Sequence, residues 1–231
     1  MDFLADGFRR ALALLFTGDA EVFGIALLTL KVATIATVVA CGIGIPIGYA
    51  LATRRFWGRR AALTMVNTAL AFPTVVVGLL LYGMLSRRGP LGELGWLYTW
   101  QAIVVGDVLL ALPIAAALSA AAVQGVDPRV RRTAETLGAG RWRTAWTVAR
   151  EARFALAAVV TVAFGQVVAE VGAAMMVGGN IRGSTRTLTT AVALYTSQGD
   201  FGLALALGMV LLVLALVVNV ALQVLQGRGG G

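Results

Sequence analysis

The sequence predicts an all-α membrane protein of about five transmembrane helices, interrupted by one long polar segment. Three observations carry this reading. Hydrophobic residues make up 59% of the 231 residues and the mean hydropathy is +0.86, whereas a water-soluble domain is about half apolar and far less segregated. Five apolar stretches, near residues 22–52, 61–85, 100–123, 154–178 and 201–225, are long enough to cross a bilayer. The net charge of +8 comes from 18 arginines and one lysine, and nearly all of these lie between the apolar stretches, where they suit a membrane surface rather than nucleic acid.

Taken in order, residues 1–20 set Leu4, Phe8, Leu12, Leu15 and Phe16 at helical spacing, with Asp6, Arg9 and Arg10 elsewhere on the wheel. That pattern predicts an amphipathic segment lying in the membrane interface, with no secretory signal of the charged, apolar and small-residue kind. Residues 21–226 form the membrane domain, and 227–231 read as a flexible glycine-rich tail. Within the first stretch Gly42, Gly44 and Gly48 cluster beside Pro46, and Pro73 and Pro113 interrupt the second and third. Such spans suit kinked helices packed closely on one another rather than isolated anchors. Asn67, Gln166 and Asn219 must face protein or water.

Basic loops stay on the cytoplasmic side, so the arginines orient the chain. Arg54, Arg55, Arg59, Arg60, the seven from Arg129 to Arg153 and Arg228 make twelve on one side, against six on the other: Arg9, Arg10, Arg87, Arg88, Arg182 and Arg186. The expectation is an external N-terminus, a cytoplasmic C-terminus and a cytoplasmic segment 124–153. Lys31, Asp107 and Glu170 then fall in the outer half of the membrane, where an ionisable group costs a few kcal/mol unless paired or hydrated. Two readings stand for them. Lys31 pairs with Asp107 or Glu170 and fixes helix register, or the three form a charged constriction in a translocation path.

The absences are informative too. There is no histidine, which removes the commonest general base and metal ligand, and with Cys41 as the single cysteine, inside an apolar run, no intrachain disulfide or cysteine-based metal site is possible. A phosphate-binding Walker loop needs a lysine after a glycine-rich turn, and the only lysine follows Leu30. The chain cannot be its own P-loop ATPase. The polar segment is the strongest positive signal: Asp127-Pro128 starts a short helix, Leu137-Gly138-Ala139 breaks it, and a second helix begins near Arg141. Such an arm suits docking into a groove on another protein, or else a basic loop answering anionic lipid headgroups.

Thr133-Ala134-Glu135-Thr136-Leu137-Gly138-Ala139, followed by Trp142, Thr147 and Val148, resembles the EAA loop of binding-protein-dependent ABC importer permeases. Two positions depart from that pattern: Arg132 stands where a glutamate is usual, and Arg150-Glu151 where Leu-Pro is usual. Asn67-Thr68, Pro73 to Gly78, and Arg88-Gly89-Pro90-Leu91-Gly92 resemble the second span and outer loop of the oxyanion permeases. Glu170-Val171-Gly172-Ala173, Gly179-Asn180-Ile181-Arg182-Gly183 and Thr185-Arg186-Thr187-Leu188 extend the likeness over most of residues 1–226. Met1 to Leu4, Arg150 to Arg153 and the Asn-Ile-Arg-Gly stretch are most similar to tungstate-type permeases, with molybdate and sulfate permeases as near relatives.

The resemblance implies a type I ABC importer permease fold and a permease of the cell inner membrane rather than an enzyme. It implies a second copy of the chain, two ATPase subunits that use ATP and magnesium, and an external protein that captures the oxyanion; this chain itself would need no cofactor. Ala134, Glu135, Thr136, Leu137, Gly138, Ala139 and Gly140 become the expected ATPase contact. Asn180, Arg182, Thr185 and Arg186, all able to donate hydrogen bonds, become candidates for touching the anion or its binding protein. The competing class is an ATP-independent channel or proton-coupled carrier with Asp107 and Glu170 as relay groups.

Overall fold

The computed structural model describes residues 9, 20–54 and 56–227, so the amphipathic segment expected over residues 1–20 and the tail expected over 227–231 lie almost wholly outside the described residues. Those described residues are helical with no strand, as the apolar periodicity predicts. In chain order the helices are α1 (Ala20–Thr53), α2 (Arg59–Ala69), α3 (Thr74–Leu85), α4 (Trp100–Gln124), α5 (Pro128–Thr136), α6 (Arg141–Glu151), α7 (Arg153–Val168), α8 (Gly172–Gly178), α9 (Leu188–Ser197) and α10 (Phe201–Gly227), with a 3-10 turn at Gly92–Leu94.

Three of these helices, α1, α4 and α10, are long and apolar enough to cross a membrane unbroken. Two expected spans are not continuous helices. The stretch 61–85 is divided into α2 and α3, which meet at 100°. Pro73 is the cause: it sits at the N-cap of α3 with ψ 124, lacks an N–H, and disfavours helical geometry in the residue before it. The stretch 154–178 is likewise cut, α7 ending at Val168 and α8 starting at Gly172, which leaves Glu170 in the break rather than on a helix. Pro46 and Pro113, by contrast, sit inside α1 and α4 without ending them.

Residues 1–36, 73–107 and 165–231 form one compact unit, and residues 37–72 and 108–164 a second. In the first, α9 and α10 bury Leu188, Ala191, Leu207 and Val210 against Val22 and Ile25 of α1. The short helices α3 and α8 meet through glycines: a Cβ on Gly78 would lie 2.7 Å from the Cα of Ala173, and one on Gly172 would lie 2.5 Å from Thr74 Oγ1. In the second unit Cys41, Ala115, Val159 and Ala163 form the core, and two of the three clustered glycines of α1, Gly44 and Gly48, lie directly on α4. A Cβ on Gly44 would lie 2.6 Å from that of Ala115, and one on Gly48 would lie 2.5 Å from the Ala116 carbonyl oxygen. These glycines are packing surfaces, the small-residue contact that lets helices approach in lipid. Phe23, Leu27, Val38, Leu80, Leu212 and Leu216 point outward and exposed, as expected where lipid is the solvent.

Candidate functional site

The polar arm is built from local rules. Asp127 Oδ1 accepts from the Arg129 N–H at 2.8 Å and caps α5, with Pro128 in the first position, where a missing N–H costs nothing. The helix ends in a Schellman turn: Gly138 N–H donates to the Glu135 carbonyl and Ala139 N–H to that of Ala134, with Gly138 at φ 79. Gly140 then opens α6. Ala134, Thr144 and Val148 are buried where α5 and α6 pack together, and Arg131 pairs with Glu135 one turn on, Nε to Oε1 at 2.8 Å. Leu137 is 82% exposed, Trp142 89% and Trp146 72%, a degree of apolar exposure that only a covering partner or lipid would relieve. Among the described residues nothing lies within 4 Å of a Cβ built on Gly138, and at φ 79 its role within them is the left-handed turn. Trp146 escaped the sequence reading, although its i, i+4 relation to Trp142 puts both on one face of α6.

The three intramembrane charges do not meet as expected. Lys31 forms no ion pair among the described residues; its Nζ lies 3.7 Å from the centre of the Trp100 ring. The physical reason is access. Lys31 is on the exposed side of α1, where an aromatic face can hold its charge, while both carboxylates turn inward. Asp107 and Glu170 are brought together, lining a cavity of about 10 Å³ with Thr29, Thr187 and Thr189, room for a single water. Glu170 Oε1 accepts from the Ala173 N–H at 2.9 Å, and its own carbonyl accepts from the Thr189 hydroxyl at 2.9 Å. Its side chain therefore satisfies one of the free N–H groups in the first turn of α8. Asp107 is 3% exposed, and its Oδ1 has no hydrogen-bond partner among the described residues.

The loop after α8 is ordered by its own polar groups. Asn180, at φ 50, donates from Nδ2 to the Thr190 carbonyl at 3.2 Å and accepts from Arg186 Nε at 3.3 Å. Thr185 is fully buried; its hydroxyl donates to the Gly178 carbonyl at 2.6 Å and accepts from the Ile181 N–H at 2.9 Å. Arg182 grips Glu21 at the start of α1 through Nε, at 2.6 Å, and through Nη2, and Arg186 Nη1 lies 3.9 Å from the same carboxylate. Thr187 and Thr190 form a reciprocal capping box at the start of α9, and Thr29 Oγ1 accepts from the Leu188 N–H at 3.0 Å. Glu21 and Thr29 were not legible as partners, because they lie about 160 residues away in sequence.

Among the described residues, a helical body with close-packed glycine contacts carries an arm that exposes two tryptophans and a leucine, the features of a membrane component with a surface left to be covered. The chain belongs to the family described as binding-protein-dependent transport system inner membrane component, which matches residues 44–228. It is 42% identical over 219 residues to the tungstate uptake system permease protein TupB of Campylobacter jejuni, covering 95% of this chain and 92% of that one. It is 36% identical over 226 residues to TupB of Peptoclostridium acidaminophilum, covering 98% and 99%. A solved bacterial alginate ABC transporter, in complex with its alginate pentasaccharide-bound periplasmic protein, is similar in fold, with a TM-score of 0.74 at 18% identity over 90% of this chain and 79% of that one. The fold is that of the type I ABC importer permeases, and the chain is a multi-pass inner-membrane component.

Proposed function

We propose that the chain is the permease subunit of an ATP-driven, binding-protein-dependent oxyanion importer, with tungstate as the substrate. The observation that carries the transport reading is the arm: a pair of short helices that leaves Leu137, Trp142 and Trp146 exposed, in a sequence with no Walker A loop. Identity of 42% and 36% to two tungstate permeases, over nearly the full length, supports the choice of anion over molybdate or sulfate. Two copies assemble with two ATPase subunits, which hold ATP and magnesium, and with an external protein that delivers the anion. The N-terminus faces outward and the arm faces the cytoplasm, as the arginine count argues.

Ala134 to Gly140 form the contact through which ATP binding rocks the permease dimer between outward and inward access, since coupling between sites needs a physical contact that differs between the two states. Leu137 fills a groove on the ATPase; Gly138 and Ala139 keep the turn thin enough for close approach. The loop around Asn180 and Arg186 touches the arriving binding protein, with Arg182 held toward it by Glu21.

Leu137→Asp tests the arm. At 82% exposure the side chain contributes little to the chain's own stability, so the variant should insert and fold normally yet lose copurifying ATPase and substrate-stimulated ATP hydrolysis. Normal stimulated hydrolysis by Leu137→Asp would refute the docking assignment. Uptake of labelled tungstate, challenged separately with molybdate and sulfate, tests the anion; stronger competition by either of those would reassign the substrate.

A further inference from the structure

A second basic feature, separate from the exposed leucine and tryptophans, lies in the unit formed by residues 37–72 and 108–164. Where α1 and α4 end, Thr53, Arg54, Arg59, Asp127, Arg131 and Val148 help line a cavity of about 430 Å³. That is a volume typical of small-ligand sites. Two of its guanidinium groups are fixed by backbone. Arg59 Nε donates to the Leu51 carbonyl at 2.7 Å and Arg131 Nη1 to the Thr53 carbonyl at 3.0 Å, so both arginines satisfy the last carbonyls of α1 and sit at its negative end. Arg54 is exposed and lines the same cavity, its backbone N–H bonded to the Ala50 carbonyl at 3.0 Å. Against these three cations stand two carboxylates: Asp127, already engaged in capping α5, and Glu135, which pairs with Arg131 Nε at 2.8 Å and leaves Arg54 and Arg59 in excess.

We propose that this pocket binds a phosphate-type oxyanion, and that its source is the headgroup of an anionic phospholipid. The chemistry follows from guanidinium groups that are held in place before the ligand arrives, which suits bidentate recognition of phosphate. The source follows from depth. The pocket opens where two membrane-crossing helices stop, and Phe56 and Trp57 beside it are exposed, Trp57 entirely, as aromatic side chains are at the headgroup level. A basic pocket between the ends of spanning helices is the arrangement that holds lipid headgroups.

The test uses the full-length chain purified in a zwitterionic detergent. Native mass spectrometry should count bound dioleoyl-phosphatidylglycerol retained in preference to dioleoyl-phosphatidylcholine. Arg54→Gln leaves both backbone-capping arginines in place and should weaken retention about fivefold, the effect of one basic residue at a membrane surface. Arg60→Gln, an exposed arginine outside the pocket, should leave it unchanged. Equal retention of the two lipids, or equal effects of the two substitutions, would overturn the proposal. A parallel arm titrates sodium phosphate and follows thermal stability. Arg54-dependent stabilisation by phosphate without preference for phosphatidylglycerol would overturn the lipid source and assign the pocket to a free anion.

Discussion

Gly48 shows how much one missing side chain can matter in this molecule. A Cβ there would lie 2.5 Å from a backbone oxygen of α4, which cannot yield without moving the helix, whereas a Cβ on Gly42 meets nothing within 4 Å. Gly48→Ala should therefore destabilise by about 1–3 kcal/mol, the range for overpacking, and Gly42→Ala should not. Thermal unfolding followed by fluorescence-detected size exclusion would separate them, and equal melting temperatures would contradict the packing described here. Lys31 makes the complementary point about charge. Its partner is the Trp100 ring, so a double-mutant cycle of Lys31→Met and Trp100→Leu should return a coupling of about 0.5–1 kcal/mol, typical of an exposed cation over an aromatic face. Exchanging charges between Lys31 and Asp107 or Glu170 should rescue nothing.

At the scale of elements, the short helices depend on their caps. Asp127→Ala removes the side-chain acceptor at the start of α5 and should cost about 1 kcal/mol, loosening the arm before the rest of the chain unfolds. Hydrogen exchange over residues 128–136 would register it as faster exchange confined to that helix. Glu170 serves the first turn of α8 from a buried position: Glu170→Gln keeps an acceptor for the Ala173 N–H and should lose less stability than Glu170→Ala, which leaves that N–H unsatisfied at a cost of about 1–3 kcal/mol. If the two variants unfolded at the same temperature, the carboxylate would not be holding that N–H. The start of α5 could be read from Asp127-Pro128 because that signal is local. The break before α8 could not, since Ala169, Glu170 and Val171 are not helix breakers by propensity. The Thr189 hydroxyl, which donates to the Glu170 carbonyl from 19 residues away, decides it together with the local bond from the Ala173 N–H to the Glu170 side chain.

For the whole molecule, apolar composition set the solvent, and residues 1–231 contain no Walker A sequence. Those conclusions need only counting and spacing, because membrane burial and phosphate cradles impose residue types over short windows. The break at Pro73 was written in the sequence, whereas the break between Val168 and Gly172, the pairing of Arg182 with Glu21 and the convergence of Asp107 with Glu170 were decided by tertiary structure. A buried or interfacial charge chooses its partner by distance and access in space, and sequence separation carries almost no information about either.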